Sequence, residues 1–183
     1  MPVNHDELPP GVFFRLDIAD PKKRVEAYIE EYNADHPQIE KSKPPSFDSI
    51  IMTNNVRVHS VSTGPPLVVI LVLDIRPELC SRTGNLHGGA AALIFDMTTS
   101  MSVAPLAKEP PGWHFGGVSR NLNVSYLRPV PCGIKVHVVC EVSNLGKNLA
   151  TITARMQTED GKLLCMAQHD KVWVDIAART NKM

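Results

Sequence analysis

The chain has 183 residues, and its 19 basic and 19 acidic residues give a formal net charge of zero. This length predicts one domain, or one domain with an extension, and it is sufficient to bury a sizeable core. The charge balance argues against nucleic acid and against an acidic membrane surface as partners, but it permits a local basic patch around a small anionic ligand.

The cysteines indicate a reducing compartment. Cys80, Cys132, Cys140 and Cys165 form no CxxC pair and lack zinc-ligand spacing. We therefore expect reduced cysteines, no metal site and a cytoplasmic protein, with mitochondria as the alternative location. The N-terminus carries early acids and no apolar signal region, and the apolar run 67–73 is too short to span a bilayer, so no signal peptide or membrane segment is expected.

Residues 1–47 are rich in proline and charge, and we interpret them as an N-terminal extension. Within them, Asp20 as N-cap and Pro21 at the first helical position predict a short helix. Its apolar residues recur at helical spacing and predict an amphipathic helix packed on the main domain: Val25, Tyr28, Ile29 and Tyr32. We place the main domain at residues 48–177 and a C-terminal tail at residues 178–183.

The main domain predicts two strands, one long helix and then four more strands. The first two strands cover residues 50–63 and 67–75, separated by Pro65 and Pro66, and the helix runs from residue 87 to about 105. The later strands are predicted at residues 114–126, 133–143, 149–158 and 163–175, with an Asp-Gly hairpin turn before the last. This order indicates an α+β fold in which an antiparallel sheet curls around the helix.

The predicted helix contains a single acid. The stretch 86–107 reads LHGGAAALIFDMTTSMSVAPLA, in which Asp96 is the only acidic residue and Lys and Arg do not occur. Every face of this helix is apolar or small, which is typical of a buried helix. Burial without a cation at i±3 or i±4 predicts a raised pKa for Asp96 unless a partner distant in the sequence compensates, and a raised pKa suits a general base near neutrality. The alternative is a structural Asp that hydrogen-bonds a neighbouring element.

The His-Gly-Gly sequence at the helix start is a candidate oxyanion site. Gly88 and Gly89 leave the first helical N–H groups open to a ligand at the positive end of the helix dipole. Such donors stabilise an oxyanion by about 3 kcal/mol each. The alternative is a glycine turn needed only for packing. We interpret His87 as a turn or packing residue rather than as a base or metal ligand, because no second ligand lies at suitable spacing.

These motifs, taken together, resemble a known family. HGG with Asp nine residues after the His precedes a G-V-S and a Y-x-x-P sequence in the next strand. The segments GNLHGGAAALIFDMTTSM, GVSRNLNVSYLRPV, LGKNLATITARM and DGKLLCMAQHDKVW resemble the hotdog-fold acyl-CoA thioesterases. The resembling subgroup includes the phenylacetate-pathway thioesterases and thioesterase superfamily member 2, and the similarity covers roughly residues 50–175.

The resemblance implies a hotdog fold, a homodimer at least and a homotetramer as the expected assembly. It also implies acyl-CoA as substrate, with coenzyme A as part of that substrate and no other cofactor. The N–H of Gly88 would polarise the thioester carbonyl, Asp96 would act as general base or nucleophile, and Ser119 would position the water or the carboxylate. Gly88 and Asp96 are about 12 Å apart along one helix, so they cannot act on one carbonyl from the same subunit. The resemblance therefore places the active site between two subunits.

Further residues match family positions that contact the substrate or coenzyme A: Asn85, His87, Gly89, Tyr126, Arg128, Pro129, Gly146, Lys147, Asn148, His169 and Lys171. Among them, Arg128, Lys147 and Lys171 are suitable charges for the CoA phosphates. The alternative for these three is an ordinary solvated strand end or turn.

The sequence departs from the family at Ser81, where an Asn that helps place the attacking water is common. Serine is shorter, and Asn85 could replace that Asn locally or instead cap the helix. The sequence is therefore compatible with three alternative functions: acyl-CoA hydrolysis, another reaction on a CoA or carrier-protein thioester in a biosynthetic pathway, and acyl-CoA binding with weak or no turnover. A catalytic carboxylate on the helix favours hydrolysis.

Overall fold

Six antiparallel strands form one sheet in the order β1-β2-β4-β5-β6-β3. The structure is a computed structural model that describes residues 13–33, 46–110 and 112–174. The strands are β1 Arg57–Ser62, β2 Leu67–Asp74, β3 Val118–Tyr126, β4 Lys135–Leu145, β5 Leu149–Gln157 and β6 Leu163–Val172. The α-helices are α1 Pro21–Asn33, α2 Ser49–Met52 and α3 Gly88–Met101, and 3-10 turns cover Pro77–Leu79 and Ala104–Leu106.

The long helix α3 packs in the core against the sheet, which confirms the predicted α+β architecture. Its buried residues lie on one side: Ala91, Ile94, Phe95, Thr98, Thr99 and Met101. The two threonines are tolerated because their hydroxyls donate to backbone carbonyls one turn earlier, with Thr98 bonding Ile94 O at 2.7 Å and Thr99 bonding Phe95 O at 2.6 Å. Residues 88–106 are long and apolar enough to cross a membrane, but half of this segment is buried inside the fold.

The predicted N-terminal helix is confirmed as α1. Asp20 Oδ1 accepts a 2.9 Å hydrogen bond from Lys23 N, as expected of an N-cap. Val25, Tyr28 and Ile29 are buried in the same core cluster as the sheet residues. The guanidinium of Arg24 donates to carbonyls that follow α3, at 3.2 Å to Ala104 O and 3.3 Å to Ala107 O. The helix is therefore integrated into the core, while the proposed domain boundaries at 47/48 and 177/178 stay predictions.

One predicted strand was partly wrong. Residues 50–63 were expected to be continuous strand, but Ile51 and Met52 lie buried in α2 and β1 begins only at Arg57. A turn around Asn54, whose φ is 51°, separates the two elements. Short apolar runs do not distinguish a buried helical turn from a strand, and the two consecutive asparagines are the turn signal. The predicted 114–126 strand likewise begins at Val118.

Candidate active site

The carboxylate of Asp96 lies where α3 meets β3 and β6. The hydroxyl of Ser119 donates a 2.9 Å hydrogen bond to Asp96 Oδ1. Within the single chain the Asp96 side chain is 36% exposed, so the predicted full burial is wrong. The expectation of an isolated carboxylate is also wrong, because two residues of β6 approach it from behind. His169 and Lys171 lie more than 70 residues beyond Asp96 in the sequence, far from the i±3 and i±4 helical positions that predicted an isolated carboxylate.

A bulge in β3 turns Ser119 toward the helix. The pairing of β3 with β6 shifts register between Ser119 and Asn121. Side chains alternate between the two faces of a strand. The extra residue in the bulge therefore places the Ser119 side chain on the same face as the even-numbered residues that follow. The side chains that share this inner face are Ser119, Leu122, Val124 and Tyr126, which pair with inward-facing residues of β6.

Two glycines bring the chain close to α3 just before this bulge. A Cβ on Gly116 would lie 3.0 Å from Ser100 Cβ and 3.1 Å from Ser100 O. Gly117 has a φ of +71°, and a Cβ there would lie 2.6 Å from the Trp113 ring. Only glycine combines this left-handed conformation with so close an approach. The glycines therefore explain how Ser119 reaches the carboxylate.

His169 and Lys171 form the floor of the site. His169 Nε2 lies 3.5 Å, and Lys171 Nζ 3.9 Å, from Asp96 Oδ1. Their side chains are 0% and 1% exposed. Lys171 therefore cannot present its charge to a CoA phosphate at the surface, and this part of the prediction is wrong. Alternation along β6 was the available signal, because Cys165, Ala167, His169 and Lys171 share the inner face.

Hydrogen bonding fixes the tautomer of His169. Thr99 Oγ1 lies 2.6 Å from both Phe95 O and His169 Nδ1. Since a carbonyl only accepts, the Thr99 hydroxyl donates to Phe95, and His169 Nδ1–H donates to Thr99. His169 Nε2 then carries a lone pair, and it is buried without a hydrogen-bond partner among the residues that the structure describes. A lone pair facing the Asp96 carboxylate at 3.5 Å accounts for that missing bond.

The two buried bases have lowered pKa values. Burial lowers the pKa of Lys171 to about 8, an effect that the charge of Asp96 opposes. Burial, together with the charge of Lys171, lowers the pKa of His169 to about 4. Near neutrality the site therefore holds a neutral His169 and a mostly protonated Lys171 beside Asp96.

At the start of α3, about 12 Å along the helix from Asp96, the Gly88 N–H is the proposed oxyanion donor. His87 caps the helix, since its Nδ1 accepts a 3.0 Å hydrogen bond from Gly89 N. This contact gives His87 a structural part as the N-cap of α3, and its contact with the substrate stays a prediction. The first intrahelical bond runs from Ala91 N to His87 O at 2.9 Å, so Gly88 N–H lies before the hydrogen-bonded turns. Tyr126 OH donates a 2.9 Å hydrogen bond to Gly88 O.

A groove of about 290 Å³ lies beside Gly88. Its lining includes four predicted substrate-contact residues: Asn85, Tyr126, Arg128 and Pro129. Arg128 is exposed and its guanidinium donates to Leu163 O at 2.8 Å. The groove thus combines an anion-binding helix start with a surface cation.

The loop before α3 holds Ser81 and Asn85 by local hydrogen bonds. Ser81 Oγ lies 2.8 Å from Thr83 Oγ1 and donates to Asn85 O at 3.1 Å. Asn85 Nδ2 donates to Thr83 O at 3.3 Å. Asn85 does not cap α3, so that alternative is wrong, because His87 occupies the capping position.

The predicted CoA-contact residues fall at opposite ends of β3. Gly146, Lys147 and Asn148 form the β4–β5 turn, where Trp113 Nε1 donates to Gly146 O at 2.8 Å and Trp173 N donates to Asn148 O at 2.9 Å. This turn lies near the Ser119 end, whereas Tyr126, Arg128 and Pro129 lie near Gly88. One chain therefore does not bring the two groups together.

No group of three or more His, Cys, Asp or Glu side chains that could hold a metal ion occurs in residues 13–33, 46–110 and 112–174. The site is instead built from one carboxylate, two buried bases, hydroxyls and backbone N–H groups. These groups are suited to moving a proton and stabilising an oxyanion.

Comparisons with known proteins agree with the resemblance seen in the sequence. The family model of the thioesterase superfamily matches residues 83–165. Acyl-coenzyme A thioesterase 13 of Mus musculus is 26% identical over 130 residues, covering 70% of this chain and 86% of the mouse protein. Residues 83–165 include α3, β3, β4, β5 and the start of β6.

Solved structures show the same fold. Zebrafish thioesterase superfamily member 2 superposes with a TM-score of 0.64 at 23% identity, covering 84% of this chain and 98% of that one. A hypothetical thioesterase from Streptococcus pneumoniae, solved with coenzyme A, gives a TM-score of 0.59 at 18% identity, covering 70% and 92% of the two chains. The predicted hotdog fold and the resemblance to the acyl-CoA thioesterases are confirmed.

Proposed function

We propose that this chain, a hotdog-fold protein of the acyl-CoA thioesterase type, hydrolyses the thioester of an acyl-CoA to a free acid and coenzyme A. The observation that carries the proposal is the Ser119–Asp96 hydrogen bond of 2.9 Å on the central helix of a thioesterase fold. The mouse relative is named for the same activity. The four free cysteines support a reducing compartment, and we propose the cytoplasm.

In the proposed reaction Asp96 takes a proton from water while the water oxygen attacks the thioester carbonyl carbon. The Gly88 N–H stabilises the resulting oxyanion. Collapse of the tetrahedral intermediate breaks the C–S bond, and the leaving CoA thiolate takes up the proton held by Asp96, which restores the carboxylate. Direct attack by the Asp96 carboxylate, followed by hydrolysis of the mixed anhydride, is the nucleophilic alternative.

The proposal requires two subunits. Gly88 and Asp96 lie about 12 Å apart along α3, too far to act on one carbonyl from the same chain. β3 is an edge strand, with Ser119 and Asp96 at its start and Tyr126 and Gly88 at its end. Antiparallel pairing of β3 with its copy would place the start of one strand beside the end of the other. Such a dimer would therefore bring Asp96 of each subunit toward Gly88 of the other.

The same pairing would unite the proposed CoA contacts. The turn containing Lys147 lies at the Ser119 end of β3, and Arg128 lies at the Tyr126 end. In the antiparallel dimer these two cations approach each other across the interface, where they would bind the CoA phosphates. Two such dimers would form the expected homotetramer.

A binding protein with weak turnover is the second candidate. The observation that favours it is Ser81, whose hydroxyl is engaged with Thr83 and Asn85 within its own loop. A side chain held in this way is less available to place the attacking water. Processing of a biosynthetic thioester intermediate would use the same groups on a different acyl donor.

One assay separates these functions. The purified full chain is incubated with acyl-CoAs of different chain length and free thiol is measured. We expect thiol release that Asp96→Asn abolishes. Retained CoA binding without thiol release at any chain length would replace hydrolysis with the binding function. Sedimentation of the same sample should give a dimer or tetramer, and a monomer with full activity would contradict the shared site.

A further inference from the structure

Lys171 is a buried cation that the proposed reaction does not yet use. Its side chain is 1% exposed, and Nζ donates to Ser100 Oγ at 2.9 Å and to Ser119 Oγ at 3.4 Å. Nζ also lies 3.9 Å from Asp96 Oδ1. Burying an ammonium group is costly unless it is paired and hydrogen-bonded, so a lysine at this position calls for a specific role.

We propose that Lys171 is a positioning residue that orients Ser119 and Asp96 for attack on the thioester. This inference rests on the proposed function, and it deepens it by assigning the floor of the site. Lys171 acts through its neighbours and does not touch coenzyme A.

The direction of each hydrogen bond supports this role. An ammonium group only donates, so Ser119 Oγ accepts from Lys171 and its own single proton goes to Asp96 Oδ1. Ser100 is fixed in the same way, since it accepts from Lys171 and donates to Asp96 O at 2.6 Å. Lys171 thus orients both hydroxyls, that of Ser119 toward the Asp96 carboxylate and that of Ser100 toward the Asp96 backbone carbonyl. The second carboxylate oxygen, Oδ2, accepts no hydrogen bond from the described residues and is left for the water proton.

The charges around Lys171 are balanced. Asp96 faces it from α3, and His169 lies beside it on β6, where the imidazole is neutral near pH 7. From β3 only the uncharged hydroxyl of Ser119 contacts it. Lys171 is therefore the local cation that offsets the charge of Asp96. Loss of its proton would remove that charge and one of its donor hydrogens.

The test compares Lys171→Met with Lys162→Met, the same substitution at an exposed turn position. We expect Lys171→Met to lower kcat by about 10- to 100-fold, with KM for acyl-CoA changed less than about threefold. Its Tm should fall, because methionine leaves Asp96 without its cation and Ser100 and Ser119 without a donor, so kcat is measured at a temperature at which both variants are folded. Lys162→Met should match the wild type in all three quantities.

The pH profile gives a readout that a purely structural role would not change. Lys171 has a pKa lowered to about 8, so wild-type kcat should decline as the pH rises through this value. This basic limb should be absent in Lys171→Met. Lys171→Ala lacks the atoms of n-propylammonium, so added n-propylammonium should restore part of kcat, and the neutral isostere propan-1-ol should not. The rescue provides a second test if the methionine variant folds poorly.

The outcomes separate the two proposals. If the wild type releases no thiol, the proposed function fails and Lys171 has no reaction to serve. If the wild type is active and Lys171→Met keeps its kcat, the positioning role alone is overturned. If Lys171→Met leaves kcat unchanged and raises KM, Lys171 binds coenzyme A and does not position Ser119 and Asp96. Equal rescue by the amine and the alcohol would show that volume, not charge, is required.

Discussion

The hydroxyl of Ser119 donates a 2.9 Å hydrogen bond to Oδ1 of Asp96, and this contact ties the edge strand of the sheet to its central helix. Asp96 Oδ1 also lies within 4 Å of two buried bases, His169 and Lys171. Ser119 and Lys171 thus hold the carboxylate through Oδ1, while Oδ2 accepts no hydrogen bond from the described residues. This one-sided support is the arrangement expected of a group that must accept a proton from solvent.

Ser119→Ala should lower kcat by about 10- to 100-fold, because it removes the hydrogen bond that orients Asp96. The measurement is the rate of thiol release at saturating acyl-CoA. Ser125→Ala is the matched control, since Ser125 lies on the same strand but on the exposed outer face. Equal rates for the two variants would remove Ser119 from the reaction.

Asp96→Asn should abolish hydrolysis while leaving a folded oligomer. The amide keeps the volume of the carboxylate but cannot act as a base or nucleophile. Thiol release, circular dichroism and sedimentation should be measured on one preparation, with Asp160→Asn in the exposed 159–162 turn as control. Near-normal turnover by Asp96→Asn would refute the assignment.

Subunit complementation tests the shared site. Gly88→Pro removes the proposed oxyanion donor, and proline fits this first helical position because His87 has a ψ of 138°. Each of Gly88→Pro and Asp96→Asn should be inactive alone. Random mixing gives about half heterodimers, each with one intact site of two, so activity should return to about one quarter of wild type. Continued inactivity of the mixture, with heterodimers verified, would place both residues in a single-chain site.

Ser81→Asn should preserve thiol release or raise it, by up to about tenfold, because it introduces the amide common in the resembling family. The longer side chain could reach beyond Thr83 and Asn85, which now hold the Ser81 hydroxyl. The comparison is kcat over the acyl-CoA panel. A large loss would show that the serine hydroxyl itself is required to hold the loop.

His169 should make the fold sensitive to acid. Its pKa is about 4 in the folded chain against 6.5 as the ordinary value, so the unfolded chain binds more protons between these values. The stability is fully present above pH 6.5 and is lost as the pH falls toward 4. At pH 4.5 the loss from this residue should be on the order of 2 kcal/mol. Urea unfolding at pH 7 and 4.5 should show a smaller pH difference for His169→Leu than for wild type, and equal differences would contradict this.

The sequence was sufficient for the long elements and for the central carboxylate. Helix α3 and strands β2 to β6 carry strong periodic patterns, and they are found where predicted apart from their ends. The partners of Asp96 were harder to predict, because His169 and Lys171 are polar and the resemblance assigns them to coenzyme A rather than to Asp96. Counting alternate positions forward from the apolar Cys165 and Ala167 places both His169 and Lys171 on the inner face. The cap by His87 depends on ring geometry that spacing alone does not specify.

The β3 bulge has a consequence for how this protein is compared with its relatives. The extra residue between Ser119 and Asn121 decides which face of the strand Ser119 occupies, although Arg120 itself contributes no group to the site. Loss of one residue there would leave every functional side chain in the gene product and yet turn the serine away from Asp96. An alignment that counts identities but ignores a gap at this position would therefore assign the site to a relative in which the serine does not reach the aspartate.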